Sequence, residues 1–388
     1  MMLSLERRAV DSRLMTYASP FLALLLTLVT AAVIFAFLGR DPVAGLRNFF
    51  IAPLMSAQGW AELCLKASPL LLIAAGLTVC FRARIWNIGA EGHFLVGALG
   101  ASAVALSFGD QEGFWILPLV LLAGIVSGAL WAMIAAVLKT HFHSNEILTT
   151  IMLNYIALNL LLFMVNGPLK DPQGFGFPQS VMFGDSALLP ILISGTRLNI
   201  SILFAVAAAV VVGVLFARTF IGFQLKVLGQ DPRAAAFAGY PARGLIWFAL
   251  IFAGGLAGLA GAAEVSGPIG QLIPQVSPGY GYTAIIVVFL GRMRAIGIVL
   301  ASLLLALTFL GGETMQISMN LPKAMTGLFQ GLLLFYLLAC DAFIHYRLRW
   351  RPRQPVPAVA SSTSASTAQA STGQVSTGQV STLVREEA

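Results

Sequence analysis

The sequence predicts an all-α polytopic membrane protein of about ten transmembrane helices, with both termini cytoplasmic and a chain built from two related halves. Three observations predict this. Hydrophobic residues fill 58% of the 388 positions and charged residues only 10%, with mean hydropathy +0.87, which leaves too few polar side chains to cover a water-soluble globule. The apolar residues fall in blocks of about twenty, the length that ~30 Å of hydrocarbon demands at 1.5 Å per residue. The basic residues gather between alternate blocks, and Lys and Arg beside a span hold that loop in the cytoplasm.

The blocks cover residues 20–38, 61–81, 88–107, 114–138, 146–165, 198–217, 244–263, 280–291, 295–311 and 323–345. The first follows a basic segment, as a signal peptide would. Its apolar run, Pro20 to Leu38, is long for a signal sequence, and Gly39-Arg40-Asp41-Pro42 offers no small-x-small cleavage site, so a retained helix is expected. The third and eighth blocks fit a full crossing least well. The eighth is short and glycine-rich at its start, and reads as a broken or re-entrant element, tolerated only where protein or a water-filled path surrounds it.

An even number of spans puts both ends on one side. With that side cytoplasmic, the inside segments hold Arg7, Arg8 and Arg13; Arg82 and Arg84; Lys139; Arg218, Lys226, Arg233 and Arg243; Arg292 and Arg294; and Arg347, Arg349, Arg351, Arg353 and Arg385. Arg40, Arg47, Lys66, Lys170, Arg197 and Lys323 remain outside or within spans. The net charge of +7 thus faces anionic lipid and cytoplasmic partners, and its scatter over separate loops gives no nucleic-acid surface.

Three regions follow: a cytoplasmic N-terminal segment (1–19), a transmembrane permease domain (20–346) carrying a cytoplasmic loop (222–244), and a tail (347–388) rich in Ser, Thr, Ala and Gln with a tandem STGQV, expected to be disordered.

Catalytic chemistry is missing. His93, His141, His143 and His345 form no HExxH pattern, no GxSxG elbow occurs, and no lysine follows a GxxxxG, so the chain cannot hold ATP in a Walker A loop. Cys64, Cys80 and Cys340 lie in or beside apolar blocks without metal spacing and read as small buried hydrophobes. If ATP drives this protein, another subunit binds it.

Between the sixth and seventh spans lies GFQLKVLGQDPRAAAFAGYPARG, Gly222 to Gly244. Asp231 is a good N-cap, Pro232 suits the first helical position, Ala234 to Ala236 favour helix, and Gly239 with Pro241 ends it. A helix of about two turns is marginal alone, so a docking partner is expected.

The stretch LGQDPRAAAFAGY, Leu228 to Tyr240, resembles the coupling-helix loop of ABC importer permeases of the branched-chain amino acid and simple-sugar class. FRARIWNIGAEGHFLVGA (81–98), SNEILTTIMLNYIALNLL (144–161) with NGPLKDP (166–172), and YGYTAIIVVFLGRMRAIGIVLASLLLA (280–306) are similar to the branch serving basic-membrane-protein-type binding proteins, the nucleoside and simple-sugar importers. The resemblance covers residues 20–346, and departs from the family in His93, where Gln or another polar residue is expected, and in the long tail. It implies that Gly229, Asp231, Pro232, Ala234, Ala235, Ala236 and Gly239 form the contact with an ATP-binding cassette subunit. It also implies a second, non-identical permease subunit, an extracytoplasmic solute-binding protein, and ATP with magnesium on the partner ATPase, with no cofactor on this chain. An ion-coupled secondary transporter is the alternative, and would need an ionisable group buried mid-membrane.

Polar residues inside spans are the candidates for a path or gate, because in lipid they cost free energy unless they face protein or water. They are Asn87, Glu91, His93, Asn154 and Asn159. For Asn87 and Glu91 a structural role competes: Asn87 can cap the third span, and Glu91 then complements the positive end of that helix, near the cytoplasmic rim and beside Arg82 or Arg84. The asparagines can equally bridge helices. Glu62 and Lys66 have the favourable order for an i,i+4 ion pair. The rows Gly124/Gly128 and Gly254/Gly258/Gly261 read as packing seams. Finally NIGAEGHF before the third span and SPGYGYT before the eighth echo each other, as the halves of a repeat-built transporter would.

Overall fold

In the computed structural model, which describes residues 2–7, 13–109, 111–322 and 324–351, ten apolar helices follow one another as the hydropathy blocks require. Eight are long and apolar enough to cross a membrane. They are α1 (Arg13–Phe37), α3 (Ala57–Arg82), α4 (Ala90–Phe108), α5 (Ile116–His141), α6 (Glu146–Asn166), α7 (Ser201–Arg218), α10 (Ala242–Glu264) and α12 (Ala295–Met319). Two are shorter: α11 (Tyr280–Leu290), and α13 (Ala324–His345), whose apolar stretch is Ala324–Cys340. Between them, α2 (Pro42–Leu46) leads through a π-helical turn and a 3₁₀ turn to α3, and α8 (Phe220–Gln230) leads to α9 (Pro232–Phe237). The sequence reading missed α2 and α8, which at five and 11 residues are too short to stand out as apolar blocks.

Side chains fix the helix starts. Ser56 accepts from Gly59 N–H at 3.0 Å to cap α3, Asn145 from Ile147 N–H at 3.0 Å to cap α6, and Thr219 from Gly222 N–H at 3.1 Å to cap α8. α1 begins within the segment expected to precede the first span.

The ends of the chain form a separate unit, in which β1 (Met2–Arg7) and β2 (Tyr346–Arg351) pair in a two-stranded sheet. The sheet takes the first residues of the expected disordered tail into a strand; residues 352–388 of that tail lie outside the described residues.

The core of the helical unit is α10. It packs against α3, α4 and α5 with almost no side chain between the backbones. A Cβ on Gly258 would stand 2.2 Å from the Gly124 carbonyl oxygen, one on Gly254 2.6 Å from that of Gly128, and one on Gly261 2.1 Å from that of Phe94. The two glycine rows seen in the sequence are therefore the two sides of one seam. Within lipid, where apolar helices gain little by hiding from their surroundings, this close approach is a main source of helix association.

Candidate functional site

α11 is only 11 residues long, about 16 Å at 1.5 Å per residue, half the hydrocarbon thickness. Its start is reached through a non-helical segment, 270–279, and Gly279 adopts φ +99°. α4 also follows a non-helical stretch, in which Arg84 adopts φ +54°. The two helices start at the same place: a Cβ on Gly281 would lie 2.3 Å from the Glu91 nitrogen. The two glycine-spaced segments that echo each other in sequence thus meet in space, at the starts of α4 and α11.

Glu91 joins them. Its Oε2 accepts from Gly281 N–H at 2.7 Å, and the Ser277 hydroxyl also bonds to it. Ser277 Oγ in turn accepts from Gly279 and Tyr280 N–H, each at 3.0 Å. The carboxylate, 7% exposed, therefore sits where the positive ends of α4 and α11 converge, which offsets the cost of burying a charge. This corrects two expectations. Glu91 bonds neither Arg82 nor Arg84. Asn87 does not cap α4 either: its Oδ1 accepts from Gly89 N–H at 3.0 Å, and Gly89 holds the cap position.

Asn154 of α6 completes the junction. Its Oδ1 accepts from Gly92 N–H at 2.8 Å, and its Nδ2 donates to Ile88 O at 2.9 Å and Tyr282 OH at 3.2 Å. Thr150, one turn earlier, accepts from Ile88 N–H at 3.2 Å. His93 is buried beside them with Nδ1 unpartnered. Asn87, Glu91, His93 and Asn154 are thereby brought together, with Asn154 acting as a bridge between helices. Asn159 is not part of this group; it lies on the exposed face of α6 and donates to Tyr155 O at 2.8 Å. Ser277, Thr150 and Tyr282 were not singled out from sequence, since nothing local marks a hydroxyl that closes a long-range junction.

Toward the opposite end of α3 lies a charged cluster. Lys66 pairs with Glu313 of α12 at 2.7 Å, and Arg197 holds Glu62 through two bonds of 2.8 and 2.9 Å. The expected Glu62–Lys66 pair is therefore replaced by two pairs to distant elements, because each side chain faces a partner offering better geometry than its helical neighbour. The Glu62 carboxylate holds the Arg197 guanidinium above its ordinary pKa. Glu62, Arg197 and Glu313 line a cavity of about 410 Å³, completed by Gln58 and Thr314.

The cytoplasmic segment is better braced than its length suggests. Asp231 accepts from Arg233 N–H at 2.8 Å, Tyr240 N–H donates to Ala235 O at 3.0 Å, and Tyr240 meets Phe220 edge-to-face at 5.9 Å. Ala235 is fully buried in the chain itself. Gly229 is buried too, and a Cβ there would lie 2.0 Å from Arg82 O. Asp231, Pro232, Ala234, Ala236 and Gly239 are exposed, and beside them Phe237 is 96% exposed. These contacts brace α9 within the chain itself. What stands out is an aromatic ring held in water by a rigid turn.

No group of three or more His, Cys, Asp or Glu residues among the described residues is placed to hold a metal. The geometry offers a junction of two helix starts, a polar cavity and a short helix bearing an exposed aromatic ring.

Comparison with known proteins agrees. The family described as "Branched-chain amino acid transport system / permease component" matches residues 60–338. The glucose ABC transporter permease of Haloferax volcanii is 33% identical over 89% of this chain and 93% of its own. The nucleoside ABC transporter permease of Lactococcus lactis subsp. cremoris is 30% identical over 76% and 84%, and the guanosine ABC transporter permease of Bacillus subtilis 29% identical over 83% and 93%. Each of these organisms also has a second similar permease, at 30%, 24% and 28% identity respectively. The ion-coupled alternative falls away, and the chain belongs to the branched-chain amino acid transport system permease family: it is a multi-pass plasma-membrane permease subunit of an ABC transporter, a transport subunit and not an enzyme.

Proposed function

We propose that this subunit carries a nucleoside or simple sugar inward, delivered by an extracytoplasmic binding protein and driven by a separate ATPase that holds ATP and magnesium. The observation that carries this reading is α9, where buried Ala235 anchors a short helix and exposed Ala234, Ala236 and Phe237 face the cytoplasm. Small side chains around one aromatic ring suit insertion into a groove on the ATPase. Asp231, Pro232 and Gly239 set the shape of the turn, and Gly229 seats it against the end of α3. Similarity to glucose, nucleoside and guanosine permeases supports an uncharged, polyhydroxylated solute. The polar cavity around Glu62 and Arg197 supplies hydrogen-bond donors and acceptors for such a solute. Asn159 and Tyr155, exposed on α6, suit an aqueous path shared with a second permease subunit better than they suit lipid. The occurrence of two different similar permeases in each of three organisms supports a non-identical second subunit.

The test is uptake into vesicles carrying the complete transporter, using labelled guanosine, adenosine, ribose and glucose, with internal ATP or with an ion gradient alone. Uptake of at least one of these solutes that needs ATP is expected. Uptake driven by the gradient alone overturns the reading.

A further inference from the structure

Two cavities near the start of α3 share a wall. The first, of about 410 Å³, is lined by Glu62, Arg197 and Glu313, with exposed Ser56 and Gln58 at its mouth. The second measures about 140 Å³, room for a group larger than one water molecule. Glu62 and Arg197 line both, whereas Lys66, Glu264 and Tyr280 line only the second.

The polar groups around the smaller cavity divide into those already bonded and those left free. Arg197 and Glu62 hold each other through two bonds, and Lys66 holds Glu313. Glu264, the last residue of α10, makes neither a hydrogen bond nor an ion pair among the described residues, although Lys66 and Arg197 stand close enough to attract its charge. Its carboxylate has about four acceptor positions to offer. Tyr280 is only 3% exposed, its ring set edge-to-face against Phe94 at 6.0 Å and Phe309 at 5.4 Å. Its hydroxyl likewise makes no hydrogen bond among the described residues, whereas a phenol buried this deeply ordinarily has a partner. The backbone is irregular at the same place: after Glu264 the chain widens into a π-helical turn, Val265–Ile269, that ends at Gly270 with φ +73°. Single turns of this kind recur at functional sites.

A free acceptor and a free phenol facing one cavity match the hydroxyl groups of a solute, which donate to a carboxylate and accept from a phenol. A cation would suit the carboxylate alone, and Lys66 and Arg197 beside it would repel one. We propose that Glu264 and Tyr280 bind hydroxyl groups of the carried solute in the smaller cavity, Glu264 accepting and Tyr280 donating. The proposal rests on the reading of that solute as a nucleoside or simple sugar.

Carboxyl footprinting of the complete purified transporter, with carbodiimide and glycine ethyl ester and read by mass spectrometry, tests this without solute and with millimolar guanosine, adenosine, ribose or glucose. Glu264 is expected to be labelled without solute and protected by at least one of the four, while exposed Glu112 is labelled equally throughout. Two conservative variants remove only the free groups. Because neither group bonds to the fold, Glu264→Gln and Tyr280→Phe are expected to keep the unfolding temperature and the association with the ATPase subunit. ATP-dependent uptake of the protecting solute nevertheless falls about tenfold in Glu264→Gln, the loss of a charged hydrogen bond, and about fivefold in Tyr280→Phe, the loss of a neutral one. Unchanged labelling of Glu264 with all four solutes, or undiminished uptake in both variants, overturns the proposal, and ATP-dependent uptake by the unaltered transporter then leaves the reading of the solute class standing. Lost uptake accompanied by lost folded protein gives the two groups a structural role and overturns the proposal as well. Absence of ATP-dependent uptake of all four solutes overturns that reading, and this proposal with it.

Discussion

The Glu91 carboxylate accepts a 2.7 Å hydrogen bond from the backbone N–H of Gly281, 190 residues further along the chain. That bond links the first turns of two helices that both begin inside the protein, one in each half of the sequence. Each helix start leaves N–H groups without an intrahelical partner, and buried inside the protein they meet no bulk water. The Glu91 carboxylate answers the α11 end, and Asn154 answers the α4 end through Gly92 N–H.

Glu91→Ala therefore leaves the Gly281 N–H unpaired, and an unsatisfied buried group costs about 1–3 kcal/mol. Thermal unfolding of the purified chain in detergent is expected to show this loss, with Glu91→Gln clearly less affected because its amide oxygen still accepts. Equal losses for the two variants contradict the junction described above.

The α5–α10 seam separates two glycines that look alike in sequence. A Cβ on Gly258 stands 2.2 Å from Gly124 O, whereas one on Gly255 stands 3.4 Å from Ile125 Cγ2, an ordinary contact. Gly258→Ala is expected to cost roughly 1–3 kcal/mol through forced separation of the helices and to reduce folded yield, whereas Gly255→Ala leaves the yield unchanged. Size-exclusion profiles of the two variants distinguish them.

The charged cluster near the start of α3 is expected to shape the cavity more than it stabilises the fold. The Arg197 side chain is 63% exposed and Glu62 13%, so solvent screens the pair, and exposed pairs of this kind contribute about 1 kcal/mol or less. A double-mutant cycle on Arg197→Ala and Glu62→Ala, read by thermal unfolding, is expected to give a coupling energy below about 1 kcal/mol. A coupling of several kcal/mol contradicts the exposed placement of Arg197.

The spans were legible in the sequence because a run of about twenty apolar residues has few alternatives to a membrane helix. The short eighth block and the glycine seams were legible for the same kind of reason: chain length and missing side chains act locally. What sequence could not supply was long-range pairing. Glu91 looked like a partner for Arg82 or Arg84 because they precede it closely. Yet its carboxylate bonds Gly281, 190 residues further along the chain. Glu62 and Lys66 looked like partners because they stand one turn apart, but Arg197 and Glu313 arrive from elements far along the chain. Asn159 and Asn154 are alike in composition and differ only in which face of α6 they occupy, a difference that a nearly all-apolar helix conceals. For α9 the sequence showed the cap and the stop, while the buried Ala235 and the edge-to-face contact of Tyr240 with Phe220 depend on α8 and α3 packing behind it.

The most direct measurement is association of the ATPase subunit with the purified permease carrying Phe237→Ala, alongside Ile317→Ala, which removes an equally exposed apolar side chain (84%) at the far end of α12. An aromatic anchor at the centre of a contact is worth about 2 kcal/mol or more. The account expects Phe237→Ala to weaken association by roughly thirtyfold, with the fold intact and ATP-dependent uptake lost in proportion, and Ile317→Ala to bind as the unaltered chain does. Undiminished association and uptake with Phe237→Ala contradict it.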